Sequence, residues 1–188
     1  MNKYFETSYQ RCFLIALSLC IVSCALHQPF RITDKQDLEG LKLLNIKPVF
    51  QRSRGTCGLA CLATVLDHWG HPVSIKTLQD IVKEENQRSI TPEVLKSLSE
   101  RYGLVAFVYE GTLEDIIEQI DKGRPVITLK NTFPQGKHYE VVCGYNSVKR
   151  IIICHNPNKG LYYFSYKKMR KRLTKTNNFI LLVCIKKK

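Results

Sequence analysis

The sequence lacks several features that mark specialised classes of protein. It contains no internal repeat and no low-complexity block, which argues against a fibrous protein. Its main apolar run, residues 12–23, is 12 residues long, whereas a helix that spans a bilayer needs about 20. Apolar residues make up 44% of the 188 residues and charged residues 24%, which argues against wholesale disorder. A domain of this size can bury a core without disulfides or a metal.

Acidic residues are absent from the last quarter of the chain. The sequence has 29 Lys and Arg against 16 Asp and Glu, a net charge of +13. No Asp or Glu follows Glu140, whereas residues 141–188 contain twelve Lys and Arg. This basic C-terminal part favours contact with an anionic surface, either a lipid face or an acidic substrate. Nucleic acid is a weaker candidate, and a plain solvated face is an equally good interpretation.

The N-terminal residues are typical of a targeting signal. Lys3 and Arg11 precede the apolar run 12–23, whose length fits the h-region of a signal peptide. The segment Ile21-Val22-Ser23-Cys24 resembles a bacterial lipobox, which implies cleavage before Cys24 and lipidation of its sulfur. Ala25 in place of Asp implies the periplasmic face of the outer membrane, within a bacterial cell envelope. A plain secretory signal or a short membrane anchor is the alternative.

We therefore divide the chain into three parts. Residues 1–23 are predicted to be a lipoprotein signal peptide, 24–46 a lipid-anchored tether, and 47–188 the folded domain. The tether has little periodicity, although leucines 38, 41 and 44 could form one short helix. After removal of the signal and lipidation of Cys24, five cysteines remain, an odd number that does not suggest a disulfide framework. They are Cys57, Cys61, Cys143, Cys154 and Cys184.

Helical patterns fill the first half of the domain, and β-rich runs fill the second. Apolar periodicity, N-cap residues and glycine stops predict helices over residues 57–69, 77–85, 92–102 and 113–122. Strands are predicted over residues 104–109, 125–130, 139–145, 150–154 and 179–185. Helices followed by an antiparallel sheet indicate an α+β fold.

Cys57 has the strongest chemical signal in the chain. It lies at the mouth of the first predicted helix, directly after Gly55-Thr56. A thiolate at that position faces unpaired backbone N–H groups and the positive end of the helix dipole, which favours the anion. The dipole contributes only about 0.3–1 kcal/mol, so a catalytic thiolate also needs a neighbouring imidazole. Cys61, one turn further along, is interpreted as a core residue.

The position of each histidine decides which one can serve Cys57. His68 and His71 follow at the far end of the same helix, roughly 15–20 Å away, too far for a base or for a zinc site with Cys57. His138 begins a predicted strand, and the predicted hairpin places Asn156 beside it. An amide in that position can hold the imidazole in one tautomer. His155 points to the opposite face of its strand from Asn156.

Four ordered segments together resemble the bacteriocin-processing peptidase family, a papain-like group of cysteine peptidases that cut double-glycine leader peptides. They are Gln51, Cys57-Gly58-Leu59-Ala60-Cys61, His138-Tyr139-Glu140-Val141-Val142 and Asn156-Pro157-Asn158-Lys159-Gly160. The resemblance extends from about residue 46 to 185 and implies a papain-like fold, with helices packed on an antiparallel sheet.

The same resemblance implies a role for each residue. Cys57 would be the nucleophile, His138 the general base and then acid, Asn156 the orienting residue, and Gln51 a donor to the oxyanion. The family usually has Asp where this chain has Asn156. The sequence contains neither a multi-span segment nor a nucleotide-binding motif, so the double-glycine substrate is not carried over. No metal or other cofactor is implied.

Two other functions are open at this point. The domain could be a non-catalytic peptide-binding module, or an acyltransferase or amidase that uses the same Cys-His pair. Each residue also has a structural interpretation: Cys57 as a buried thiol, His138 as a strand-end residue, Asn156 as a turn former before Pro157, and Gln51 as a surface residue. Cys143 and Cys154 are interpreted as core thiols, with a cross-strand disulfide as the alternative.

Overall fold

The computed structural model describes residues 38–87, 89–132 and 136–186. The predicted signal peptide, Cys24 and most of the predicted tether lie outside the described residues. Within the described part of the chain, no helix is both long enough and apolar enough to cross a membrane.

Four helices lie where periodicity and capping residues predict them. They are α1 (Cys57–His68), α2 (Ile75–Glu84), α3 (Pro92–Arg101) and α4 (Leu113–Asp121). The side chains of Ser74, Thr91 and Thr112 each accept a hydrogen bond from a first-turn N–H of α2, α3 or α4. These bonds satisfy donors that a helix leaves unpaired at its start, which fixes where the three helices begin.

Seven strands form one sheet in which every recorded pairing is antiparallel. The order across the sheet is β2-β7-β3-β4-β5-β6, and β1 pairs with the end of β4. The strands are β1 (Leu41–Leu43), β2 (Leu104–Glu110), β3 (Val126–Thr132), β4 (Gly136–Asn146), β5 (Ile151–Asn156), β6 (Gly160–Ser165) and β7 (Phe179–Ile185). The α+β class and the antiparallel sheet that the sequence predicts are thereby confirmed.

The sequence does not predict three elements. One is β1, which lies inside the predicted tether, so the sheet begins before the predicted boundary at residue 47. The proposed leucine helix around residues 38–44 is wrong, because Leu41 pairs with Asn146 and Leu43 with Gly144. The others are β6 and a fifth helix, α5 (Tyr166–Thr174), whose apolar positions are sparse among basic residues.

Apolar side chains form two clusters on opposite faces of the sheet. Helices α1, α2 and α3 pack on one face, in a cluster that includes Leu62, Leu66 and Val141. Helices α4 and α5 pack on the other, in a cluster that includes Val142 and Met169. Because β4 contributes alternate residues to both clusters, it is held from both sides.

The β4–β5 hairpin brings the predicted base and orienting residue together. Tyr145 pairs with Ile152, and a bulge at Cys143 shifts the register by one residue towards the start of β4. The bulge adds one residue to β4 and bends it locally. The structure places His138 and Asn156 side by side, within 3.2 Å of each other.

Candidate active site

A tight turn at Gly55, whose φ is +80°, leads into the start of α1. Thr56 is the N-cap residue, but it makes no side-chain hydrogen bond to the first turn. Its hydroxyl instead donates to the carbonyl of Ser53 at 2.8 Å. The first N–H groups of α1 are therefore not taken by a capping side chain, and Cys57 lies among them, partly exposed.

Gly58 allows α1 to approach the sheet closely. A Cβ atom at this position would lie 2.8 Å from the side chain of Ile90 and 3.1 Å from the ring of Tyr139. Tyr139 directly follows His138 on β4. The lack of a side chain at residue 58 thus allows the helix start that carries Cys57 to pack against the strand that carries His138.

Gln51 belongs to a segment that is tied to β5 and α1. Its backbone N–H donates to the carbonyl of Pro157 at 3.0 Å, and the ring Nε2 of His155 bonds the carbonyl of Val49 at 3.0 Å. One hydrogen of the Gln51 side-chain amide goes to the carbonyl of Ser53 at 3.2 Å. Its Oε1 is buried and has no partner among the described residues. Neither polar atom of this amide therefore uses all of its hydrogen-bonding capacity within the described residues.

The hydrogen bonds around Asn156 fix the orientation of its amide. Its Nδ2 donates to the carboxylate of Glu140 at 3.0 Å, and its Oδ1 accepts from the backbone N–H of Asn158 at 2.8 Å. A carboxylate can only accept and a backbone N–H can only donate, so the amide cannot be reversed. The Nε2 of His138, 3.2 Å from Oδ1, must therefore carry a hydrogen. This leaves Nδ1 of His138 as the basic nitrogen.

Glu140 supports the site, although no role for it is predicted from the sequence segment in which it lies. Its side chain is 2% exposed and forms ion pairs with Lys130 and with Arg172, the latter at 3.1 Å. The hydroxyl of Tyr162 also donates to it. A buried carboxylate needs such partners, and its bond to Asn156 makes it the support for the His138 tautomer. An acidic residue inside the apolar strand run 139–145 is the signal that could have found it.

Burial also shapes the protonation of the site. Removal from water lowers the pKa of His138, and the positive charge of Lys130 lowers it further. The hydrogen bond with Asn156 raises the pKa, but not enough to cancel the effect of burial. The imidazole is therefore neutral near pH 7, the form that can accept a proton. Burial raises the pKa of the Cys61 thiol well above its ordinary value, so Cys61 stays protonated.

One pocket of about 560 Å³ brings three of the four predicted catalytic residues together. Gln51, Cys57 and His138 line it, and Asn156 lies behind His138 with 2% of its surface exposed. The remaining lining residues are Arg54, Gly55, Thr132, Lys137 and Asn158.

A second groove of about 420 Å³ continues from Arg54 and Gly55 towards Leu59 and Ile90. The two form one cleft across the start of α1.

None of the other described cysteines and histidines lines this pocket. All five described cysteines are free thiols, and the four besides Cys57 are buried. His68 bonds the carbonyl of Gly123 at 2.9 Å, at the far end of α1. Within the described residues, no group of three or more His, Cys, Asp or Glu side chains could hold a metal ion.

The chain belongs to the Peptidase_C39 like family, whose profile matches residues 43–179. This match confirms the family that the four sequence segments predict. No curated protein is detectably similar to the chain in sequence.

Solved structures of this group share the fold. The peptidase domain of Streptococcus ComA, a bi-functional ABC transporter, is 20% identical, with a TM-score of 0.61 over 73% of this chain and 97% of that chain. A putative C39-like peptidase from Bacillus anthracis is 14% identical, with a TM-score of 0.65 over 79% and 99% of the two chains. A double glycine motif protease from an AMS/PCAT transporter, in complex with its leader peptide, is 17% identical, with a TM-score of 0.60 over 77% and 94%. The papain-like fold is therefore shown.

Proposed function

We propose that this member of the Peptidase_C39 like family is a cysteine peptidase that hydrolyses peptide bonds through an acyl-thioester. The observation that carries the proposal is the shared pocket of Gln51, Cys57 and His138, with Asn156 fixing the tautomer of His138. The nucleophile, a base and an orienting group are the parts that acyl transfer by cysteine requires.

The first half of the reaction forms the thioester. Nδ1 of His138 takes the proton from Cys57, and Sγ attacks the carbonyl carbon of the scissile peptide bond. The carbonyl oxygen becomes an oxyanion, and the side-chain N–H of Gln51 and the backbone N–H of Cys57 are the donors near it. The C–N bond then breaks, as His138 returns the proton to the leaving amine.

The second half releases the product. Water attacks the thioester carbonyl while His138 accepts one of its protons. The C–S bond then breaks, His138 returns that proton to the sulfur of Cys57, and the acid product ionises to a carboxylate. Throughout the cycle, Asn156 holds Nε2 of His138 by accepting its hydrogen. Glu140 in turn holds Asn156, so it acts as a positioning residue that does not contact substrate.

One of the structural neighbours supports a class of substrate. One structural neighbour is a double glycine motif protease in complex with a leader peptide, which supports a polypeptide as the substrate of this chain. The open cleft on both sides of Cys57 is consistent with an extended peptide. Cleavage after a double glycine is not part of the proposal.

The test is the pH dependence of Cys57 alkylation in the purified chain, followed by intact mass and peptide mapping. We expect iodoacetamide to label Cys57 selectively and quickly at pH 7, and His138→Ala to slow labelling strongly. The buried Cys61, one helical turn away, is the internal control and should stay unlabelled. The same protein should cleave members of a peptide library, and Cys57→Ala should not.

Other outcomes would contradict the proposal. Slow labelling of Cys57 that is indifferent to His138→Ala, with no peptide cleaved, would indicate a peptide-binding domain without catalysis. Cleavage of cell-wall fragments but not of peptides would indicate an amidase.

The location of the protein is a separate proposal. We infer from the lipobox-like segment that Cys24 is lipidated and holds the domain at the periplasmic face of a bacterial outer membrane. Metabolic labelling with an alkyne fatty acid should mark the wild-type chain but not Cys24→Ala. Equal labelling of both, or of neither, would contradict it.

A further inference from the structure

Another groove, of about 560 Å³ and different from the two that form the active-site cleft, lies on the α5 face of the sheet, beside the end of β3. Its walls come from β3, the end of β6 and α5, and we call it the lysine groove. The residues that line it are Lys130, Asn131, Ser165, Lys167, Lys168, Lys171, Arg172 and Lys175. Six of these eight side chains are cationic.

The positive charge of the groove is not balanced by the residues that the structure describes. No acidic side chain is among its lining residues. The carboxylate that two of its cationic residues contact, Glu140, is buried and already shared between Lys130 and Arg172. The lysines of α5 that line the groove have no ion pair within the described ranges. Partial burial, together with the charges of Arg172 and Lys130, lowers the pKa of Lys168, as expected where like charges crowd.

The lysine groove and the active-site pocket meet at the same strand end. Lys130 lines the groove and is the direct cross-strand partner of His138. Asn131 lines the groove, and the next residue, Thr132, lines the pocket. A chain that occupied the groove would therefore pass beside the pocket that holds Cys57.

We propose that the lysine groove binds an acidic segment of the same polypeptide whose scissile bond lies against Cys57. This inference rests on the peptidase function proposed above and specifies its substrate class. Several cationic side chains facing one cavity attract carboxylates and speed their capture. The amide of Asn131 and the hydroxyl of Ser165 add neutral polar groups to the lining of the groove.

An acidic peptide fits this groove better than the other anions. A bilayer surface is broad and flat, whereas the cationic groups here line a concavity next to the catalytic pocket. Single-stranded nucleic acid is usually held by aromatic side chains on which bases stack, and none is among the residues that line the groove in the described structure.

The test uses the full chain in a mild detergent and two fluorescein-labelled peptides, octaglutamate and octaglutamine. Fluorescence anisotropy should show octaglutamate binding at least about tenfold more tightly, with the difference shrinking as salt screens the charges. Lys168→Gln combined with Lys171→Gln should weaken octaglutamate binding about fivefold. The matched control, Lys42→Gln with Lys76→Gln, changes the net charge equally on other surfaces and should bind as the wild type does.

Three results would overturn the inference. The first is equal binding of both peptides, and the second is equal weakening by the two lysine pairs. The third, measured for vesicles after the detergent has been removed, is binding of phosphatidylglycerol vesicles or of an oligothymidylate that depends on Lys168 and Lys171, without binding of octaglutamate. That result would assign the groove to a lipid surface or to nucleic acid.

Alkylation of Cys57 in the same preparation separates this inference from the proposed function. Rapid labelling of Cys57 without octaglutamate binding would contradict the proposal that the lysine groove binds an acidic segment. It would not contradict the proposed peptidase function. Octaglutamate binding with an unreactive Cys57 would overturn the peptidase, and with it the claim that the acidic segment belongs to a substrate.

Discussion

The two sides of the active-site pocket are held in different ways. On the base side, two buried side chains, Asn156 and Glu140, hold the half-buried His138 through directed hydrogen bonds. On the nucleophile side, residues 51–58, the loop before Cys57 is largely exposed, and Nε2 of Gln51 donates only one of its two hydrogens within the described residues, to the carbonyl of Ser53. The base is thus oriented before substrate arrives, whereas the oxyanion donors have capacity that only a substrate would use.

The largest effect is expected on the base side, from Glu140→Gln. The change leaves the buried Lys130 and the half-buried Arg172 without an anion. Removing one partner of a buried ion pair costs about 3–5 kcal/mol. The free energy of unfolding, measured with urea, should fall by this amount. Glu118→Gln, which breaks an exposed pair with Lys122, is the matched control and should cost less than about 1 kcal/mol. Similar losses in the two variants would show that the buried network does not support the base side.

A slightly smaller effect is expected from Gln51→Ala on the nucleophile side. Loss of one oxyanion donor should lower kcat about 10²–10³-fold, with little change in KM. The unfolding free energy should barely move, because the variant keeps the backbone bond from residue 51 to Pro157 and loses only an exposed side-chain bond to Ser53. An unchanged kcat would remove Gln51 from the oxyanion site. A large loss of stability would instead contradict the contrast between the two sides.

A charge exchange tests whether Glu140 acts through Asn156. Asn156→Asp would place a second carboxylate against Glu140, and the repulsion should lower kcat/KM about tenfold or more. Glu140→Gln added to this variant lets the glutamine amide donate to the carboxylate introduced at residue 156, so the double variant should regain activity. If each change lowers activity independently, with no recovery in the double variant, the two side chains are not coupled.

The smallest expected effect is acid destabilisation through His155, which supports the nucleophile side from β5. Its Nε2 donates to Val49, and its buried Nδ1 has no partner among the described residues. Burial lowers its pKa from the usual 6.5, so the folded state binds fewer protons than the unfolded state. This stability is present above pH 6.5 and is lost as pH falls through the lowered pKa.

The measurement is the urea midpoint at pH 7 and pH 5 for the wild type and His155→Gln, which keeps a donor for Val49 but cannot ionise. The midpoint of the variant should depend less on pH. Equal pH dependence in both proteins would assign the acid sensitivity to other groups.

Local patterns were sufficient for most of the fold. Each of α1–α4 has an apolar face and a cap or stop within one turn of its ends, so short-range signals locate it. β1 was missed because three residues are too few to show alternation, and its place depends on pairing with β4. α5 was missed because its buried face has only Tyr166, Met169 and Leu173 among basic residues.

Residue types and their spacing along the chain were sufficient to identify the family, the order of the candidate catalytic residues and the basic C-terminal part. The roles that depend on contacts between distant residues are visible only in the folded structure. Glu140 forms hydrogen bonds with Asn156, Tyr162 and Arg172, which lie on three other elements. The lysine groove lies next to the pocket because β3 pairs with β4. A buried carboxylate is stable only where other side chains supply ion pairs and hydrogen bonds to it. Because the partners of Glu140 lie far apart along the chain, no local sequence pattern predicts that they meet.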